Sequence, residues 1–320
     1  MSMRTSLAPG PAVAAAFESL IDYAGLFPPA QLSVSDATAQ YARERRGPHA
    51  WMLGRFIIPV SRMEELGHFA TAFALSAIVD VRVSSADTSA WFAGALETFG
   101  ALSRLTTTGA RVEVLEIPLP ELRQRRETHD AAISQLGALL ERTGLRHPDA
   151  YVEWPRSTGW RDGLPGTMAA AARAGVGAKL RCGGLRPDQF PSVEEVASFI
   201  ATAADAGVRF KATAGLHHPV RHYAQEAGAT MHGFLNLLAA AVFAPAVGET
   251  TLHDIVAEED PRAFAFDAEW FAWRDRRANV EQLKRARQNA FVTYGSCSFA
   301  EPLEDLIALG ILPTTTGEGR

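Results

Sequence analysis

Lysine is scarce in this sequence. Of 31 basic residues only Lys179, Lys211 and Lys284 are lysines. Where positive charge alone suffices the chain uses arginine, so a retained lysine points to a task needing an amine whose pKa can move. Cysteine is scarcer still. Cys182 and Cys297 are too few for a disulfide framework or an all-cysteine metal site, which fits a reducing, cytoplasmic setting. A basic excess is also missing: the net charge is -5 and the pI about 6.0, which argues against a nucleic-acid surface. No apolar run is long enough to span a bilayer, the best candidate, Phe234–Val247, being interrupted by Pro245. The N-terminus shows no basic region followed by an apolar stretch, so no secretory signal is read. Three catalytic signatures are lacking too. There is no G-x-G-x-x-G after the first strand, no H-E-x-x-H or H-x-H metal spacing, and no G-x-S-x-G nucleophile elbow.

What is present is a globular composition, 47% hydrophobic and 21% charged, over 320 residues. The first fifty residues read as helix, loop, helix: Ala12–Tyr23, the breaker Gly25–Ala30, then Ser35–Arg46 behind a polar cap. Short apolar strands then alternate with amphipathic helices. Strands are predicted at Arg55–Pro59, Ala77–Val81, Val112–Pro118, Ala150–Pro155, Gly177–Cys182, Arg209–Ala214, Ala229–Gly233 and Phe291–Gly295. Eight strand–helix repeats predict a single α/β domain over 1–320, a (β/α)8 TIM-type barrel. It carries an N-terminal helical extension (1–50) and a helical insertion (234–290) before the last strand. With its aromatics (Phe264, Phe266, Trp270, Phe271, Trp273), that insertion is expected to pack on the barrel wall or on a second subunit as a homodimer, or else to form a lid over the mouth. Asp22-Tyr23 and Pro28-Pro29 are assigned to the barrel bottom or to a partner contact.

Strand parity sorts the polar residues. Lys179 shares a face with Arg181, Lys211 with Thr213, Glu153 with Tyr151, Glu116 with Val112 and Val114, and Asp80 with Ile78. The outer face of a parallel barrel is covered by helices, so these charges are expected to point inward. Such charges either neutralise one another or do chemistry at the C-terminal strand ends. Crowding of Lys211 with Lys179 and Arg181 would lower its pKa toward neutrality, and a neutral amine is a nucleophile toward carbonyls. The loop after the sixth strand carries His217, His218 and His222, with His232 and Asn236 further on. Glu153 and His217 or His218 are the candidate groups to move protons. Arg181 and His232 are candidates to hold an anionic group, with Glu116, Asn236 and Ser296 also assigned to substrate binding.

The segment Phe210–Leu216 (FKATAGL), preceded by Gly207-Val208-Arg209, resembles the second-lysine strand of deoxyribose-phosphate aldolases and their class I aldolase relatives. That family places two lysines on successive barrel strands, and here Lys179 and Lys211 lie one strand–helix unit apart. The resemblance implies a lyase in which Lys179 forms a Schiff base and Lys211 lowers its pKa, with no cofactor and no metal. The first lysine strand departs from the family's K-T-S-T-G, reading Lys179-Leu180-Arg181-Cys182-Gly183-Gly184. Gly295-Ser296-Cys297-Ser298 is a poor match to its phosphate loop. Two other readings stand beside it: a metal-dependent hydrolase or isomerase using the loop histidines with Glu116 and Glu153, and a non-catalytic barrel that binds a partner.

Overall fold

The computed structural model describes residues 9–81, 88–120, 129–143, 149–156 and 160–314. Eight parallel strands close into a barrel: β1 (Ile21–Tyr23), β2 (Leu53–Pro59), β3 (Leu75–Ile78), β4 (Val112–Pro118), β5 (Asp149–Glu153), β6 (Gly177–Arg181), β7 (Phe210–Thr213) and β8 (Phe291–Ser296). Each pairs with its neighbours in sequence, and β8 closes on β1 through Ile21 opposite Tyr294 and Tyr23 opposite Ser296. Among the described residues no helix is long and apolar enough to cross a membrane.

The barrel is built from a different set of eight strands from the one the sequence predicts. The expected helix Ala12–Tyr23 stops at Phe17, and Ile21–Tyr23 is the first barrel strand. Three residues are too few for strand alternation to register, and all three are buried, so the run reads like the tail of a helix. Asp22 is therefore a barrel residue, not a residue of the barrel bottom or of a partner contact. The expected seventh strand is no barrel member. Ala229–Met231 pairs antiparallel with His222–Ala224 in a separate hairpin, and an antiparallel partner is incompatible with a place in this all-parallel barrel.

The 234–290 segment is likewise not wholly helical. Helices Phe234–Phe243, Glu249–Ala257 and Val280–Asn289 enclose a three-stranded antiparallel meander, Phe264–Phe266, Trp270–Trp273 and Arg276–Asn279. The aromatics that look helical at Trp270–Trp273 alternate instead, with Phe271 and Trp273 buried and Trp270 exposed, which is the period-two signature of a strand. Asp80 also differs. It lies beyond the end of β3 and accepts hydrogen bonds from Ser61 N (3.0 Å) and Ser61 Oγ (2.5 Å).

Outside the barrel the helices follow ordinary rules. Val193–Ala206 opens on a reciprocal Ser192–Glu195 capping box and ends at Gly207 in the left-handed region (φ 64°). An aromatic layer between β2 and the flanking helices (Tyr41, Phe56, Phe73) packs edge to face at 4.8–5.4 Å. These contacts fix the strands whose inner faces build the site.

Candidate functional site

The inner faces of five strands meet in one chain of charges, joined by hydroxyls from two more. Lys211 on β7 lies 2.7 Å from Asp22 Oδ2 on β1, 2.8 Å from Glu116 Oε1 on β4, and 3.1 Å from Ser76 Oγ on β3. The other oxygen of Glu116, Oε2, sits 2.6 Å from Lys179 on β6. Lys179 in turn lies 3.0 Å from Glu153 Oε2 on β5, whose Oε1 takes Arg181 Nε at 2.7 Å. Thr293 on β8 donates to Asp22 at 2.9 Å, and Ser76 donates to Glu116 at 2.6 Å. Three anions (Asp22, Glu116, Glu153) thus face three cations (Lys179, Lys211, Arg181). In a dry interior such a set persists only if each charge is paired and its remaining hydrogen-bonding capacity is used.

Register explains the convergence. Lys179 pairs directly with Lys211 and Arg181 with Thr213, so the two lysines are level and the arginine is one step nearer the mouth. Exposure grades the same way: Asp22, Glu116 and Lys211 are fully enclosed, whereas half of the Arg181 side chain is open. Glycine makes room for the deepest member. A Cβ on Gly54 would lie 2.3 Å from Asp22 Oδ1, the oxygen that accepts Arg55 N at 2.7 Å.

The pKa directions correct an expectation. Burial alone would drive each lysine toward its neutral form. For Lys179 that pressure is outweighed by Glu116 and Glu153, and for Lys211 by Asp22 and Glu116, so both ammonium groups titrate above their ordinary value. The expected fall of Lys211 toward neutrality does not occur, because carboxylates stand between it and the other cations. Burial would raise Glu116 and Glu153, but the facing cations hold both below the usual carboxylate range, Glu116 far below it.

The lysines are not equivalent. An ammonium has three protons to donate. Those of Lys211 are matched by Asp22, Glu116 and Ser76. Lys179 has two oxygens against it among the described residues, and it lies on the strand that leads to Arg181 and the mouth.

The loop histidines face elsewhere. His217 Nδ1 pairs with Glu301 (3.2 Å) and His218 Nδ1 with Asp305 (2.6 Å), both on the last helix, Ala300–Ala308. Cys297 Sγ lies 3.8 Å from His217 Nδ1. His218 meets the His222 ring edge-on at 4.5 Å. Burial lowers the His217 pKa against the pull of Glu301. His232 donates from Nε2 to Pro191 O (2.8 Å), and burial brings its pKa down to about 4. Asn236 is consumed by backbone, accepting from Arg221 N and donating to Ile255 O and Glu258 O. Ser296 donates to Ser298 O at 2.6 Å. Of the residues singled out in the sequence, Glu116, Glu153, Lys179, Arg181 and Lys211 are therefore brought together, while none of the hydrogen bonds of His217, His218, His232, Asn236 or Ser296 reaches them.

Two solved structures are distantly similar to this chain. Over 92% of this chain and 93% of its own, a deoxyribose phosphate aldolase from Aeropyrum pernix, described as having a unique tetrameric structure, superposes with a TM-score of 0.49 at 12% identity. A second, QR15, an aldolase, superposes with a TM-score of 0.44 at 15% identity over 62% of this chain and 80% of its own. No family model and no curated protein matches the sequence. Both likenesses are remote, and the barrel assignment rests on the strand pairing itself.

Asp22, Ser76 and Thr293 complete the network unannounced by the sequence reading. The signal for Asp22 was a lone carboxylate inside the apolar run Leu20–Ala24. A metal finds no ready seat: among the described residues no group of three or more His, Cys, Asp or Glu side chains is placed to hold one.

Proposed function

We propose that the protein is a lyase that makes or breaks a carbon–carbon bond in a small carbonyl substrate through a Schiff base on Lys179. One observation carries this reading: of two buried lysines at one level of the barrel, Lys211 has all three protons matched, whereas Lys179 has two oxygens against it among the described residues. Lys179 rests as an ammonium, so reaction begins with a proton passing to one of the carboxylates in contact with it, Glu153 or Glu116. The freed amine adds to the carbonyl carbon. The carbinolamine oxygen then takes the proton back and leaves as water, giving an iminium. Lys211 stays charged throughout and holds Glu116 in place as a positioning residue. Glu153, with partial access to solvent, is the group that takes the substrate hydroxyl proton when the carbon–carbon bond breaks.

Trapping tests this. Borohydride with acetaldehyde or hydroxyacetone should fix an adduct that peptide mapping places on Lys179. Lys179→Arg keeps the charge but cannot form an imine, and should give no adduct while remaining folded. An adduct confined to Lys284, or none with any small carbonyl compound, would leave the interior charges with a structural role only.

A further inference from the structure

We infer that the carbonyl substrate is a 2-oxo acid, its carboxylate bound by Arg181, so that the bond cleaved belongs to a 4-hydroxy-2-oxo acid. This rests on the Schiff-base reading and adds the substrate class. The argument is one of span. Arg181 lies two residues beyond Lys179 on the same strand face, about 6.6 Å further toward the mouth. A single carboxylate bridges the two side chains: Glu153 Oε2 is 3.0 Å from Lys179 Nζ and its Oε1 2.7 Å from Arg181 Nε. The amine and the guanidinium therefore stand one carboxylate apart. A substrate carbon bonded to Lys179 can place an anionic oxygen on Arg181 only if the anionic group begins on the very next atom. A carboxylate joined directly to the carbonyl carbon meets that condition, and a phosphate ester on a longer arm overshoots it.

The guanidinium is also built for the task. Its Nε is committed to Glu153, and among the described residues neither Nη group has a hydrogen-bond partner, although the side chain is half enclosed. That leaves a forked donor edge, which suits a carboxylate better than a point charge would. Conversion of an ammonium to an iminium keeps the positive charge on Lys179, so an incoming carboxylate lies between two cations, Arg181 and the iminium, and its attraction to both opposes its repulsion from Glu153.

The chemistry closes without an external reagent. Lys179 nitrogen bonds to C2 of the 4-hydroxy-2-oxo acid and the carbonyl oxygen leaves as water. Glu153 takes the C4 hydroxyl proton, the C3–C4 electron pair moves into the iminium, and an aldehyde departs. Glu153 returns that proton to C3 of the enamine, and water hydrolyses the iminium to release a 2-oxo acid and Lys179 as its ammonium.

The experiment compares borohydride trapping of pyruvate, acetaldehyde and glycolaldehyde phosphate by the full-length wild-type protein and by Arg181→Gln. Wild type should trap pyruvate on Lys179 at lower concentration than either aldehyde. Arg181→Gln should need about 10–100-fold more pyruvate, the loss expected for a charge-assisted pair, and its preference for pyruvate over acetaldehyde should fall by a similar factor, which separates carboxylate binding from general damage to the site. Efficient trapping of acetaldehyde without pyruvate, a preference for glycolaldehyde phosphate, or equal pyruvate trapping by Arg181→Gln would each overturn the inference and leave the Schiff base standing. No adduct with any of the three would remove the Schiff-base reading and this inference together.

Discussion

Two clusters of ionisable side chains sit near the C-terminal half of the barrel, and they are built on different terms. Inside, carboxylates are shared: Glu116 gives one oxygen to Lys211 and the other to Lys179, and Glu153 divides itself between Lys179 and Arg181. At the rim, pairing is one to one, His217 with Glu301 and His218 with Asp305, and three of the four side chains are a third or more exposed. A shared, enclosed charge cannot be removed without stranding its partners, whereas a rim pair can part and be replaced by water. The interior therefore behaves as one unit and the rim as two tethers joining the loop after β7 to the last helix.

The sharpest way to break this comparison is to neutralise the shared carboxylate. Glu116→Gln should cost about 3–5 kcal/mol of stability, read from urea denaturation, because two buried ammonium groups lose a counter-charge at once. Imine trapping on Lys179 should fall by about 100-fold, since one of its two proton acceptors is gone. A loss below 1 kcal/mol would mean that the interior charges are independent pairs.

The same contrast orders the response to acid. Glu116 and Glu153 have folded pKa values below their ordinary range. Their stabilisation is complete above the unfolded carboxylate value, about 4.3, and is lost as pH falls through the folded values. Lys179 and Lys211 are raised, so their stabilisation is complete below about 10.4 and is lost as pH climbs through the folded values. His217 is lowered by burial, so its contribution is complete above about 6.5 and declines as the pH drops. Acidification should loosen the rim first and the barrel interior only below about pH 4.3. Hydrogen exchange should show early opening confined to the loop after β7 and to Ala300–Ala308. A single transition embracing β6 and β7 near pH 6 would contradict it.

Legibility from sequence divides along the same line. Strand parity alone put Glu116, Glu153, Lys179, Arg181 and Lys211 in one interior, because a buried strand leaves a charge only one covered face to occupy. Parity failed where a strand was too short to show it. Asp22 lies in a three-residue strand whose neighbours Ile21 and Tyr23 are both apolar, so the residue that anchors Lys211 read as the end of a helix. The direction of the lysine pKa values was misread for a related reason. Counting cations on β6 and β7 predicts repulsion, and Asp22, Glu153 and both oxygens of Glu116 reverse it. The rim was opaque in a different way. Three histidines in six residues look like a cluster, but closure of β8 on β7 brings Glu301 and Asp305, one helical turn apart, against two of them. Residue spacing within the loop carries no trace of that.

The smallest effect belongs to those tethers and sharpens the comparison from its weak side. Glu301→Gln and Asp305→Asn should each cost no more than about 1 kcal/mol, because the two carboxylates are partly open to solvent and each serves a single partner. Imine trapping on Lys179 should be unchanged, since no hydrogen bond links the rim pairs to the interior network among the described residues. One readout is specific to the pair. Glu301 is the group that pulls the His217 pKa upward against burial, so Glu301→Gln should send it further down. NMR titration of the His217 ring reads that shift directly. A rise, or a parallel loss of trapping, would show that rim and interior are coupled after all.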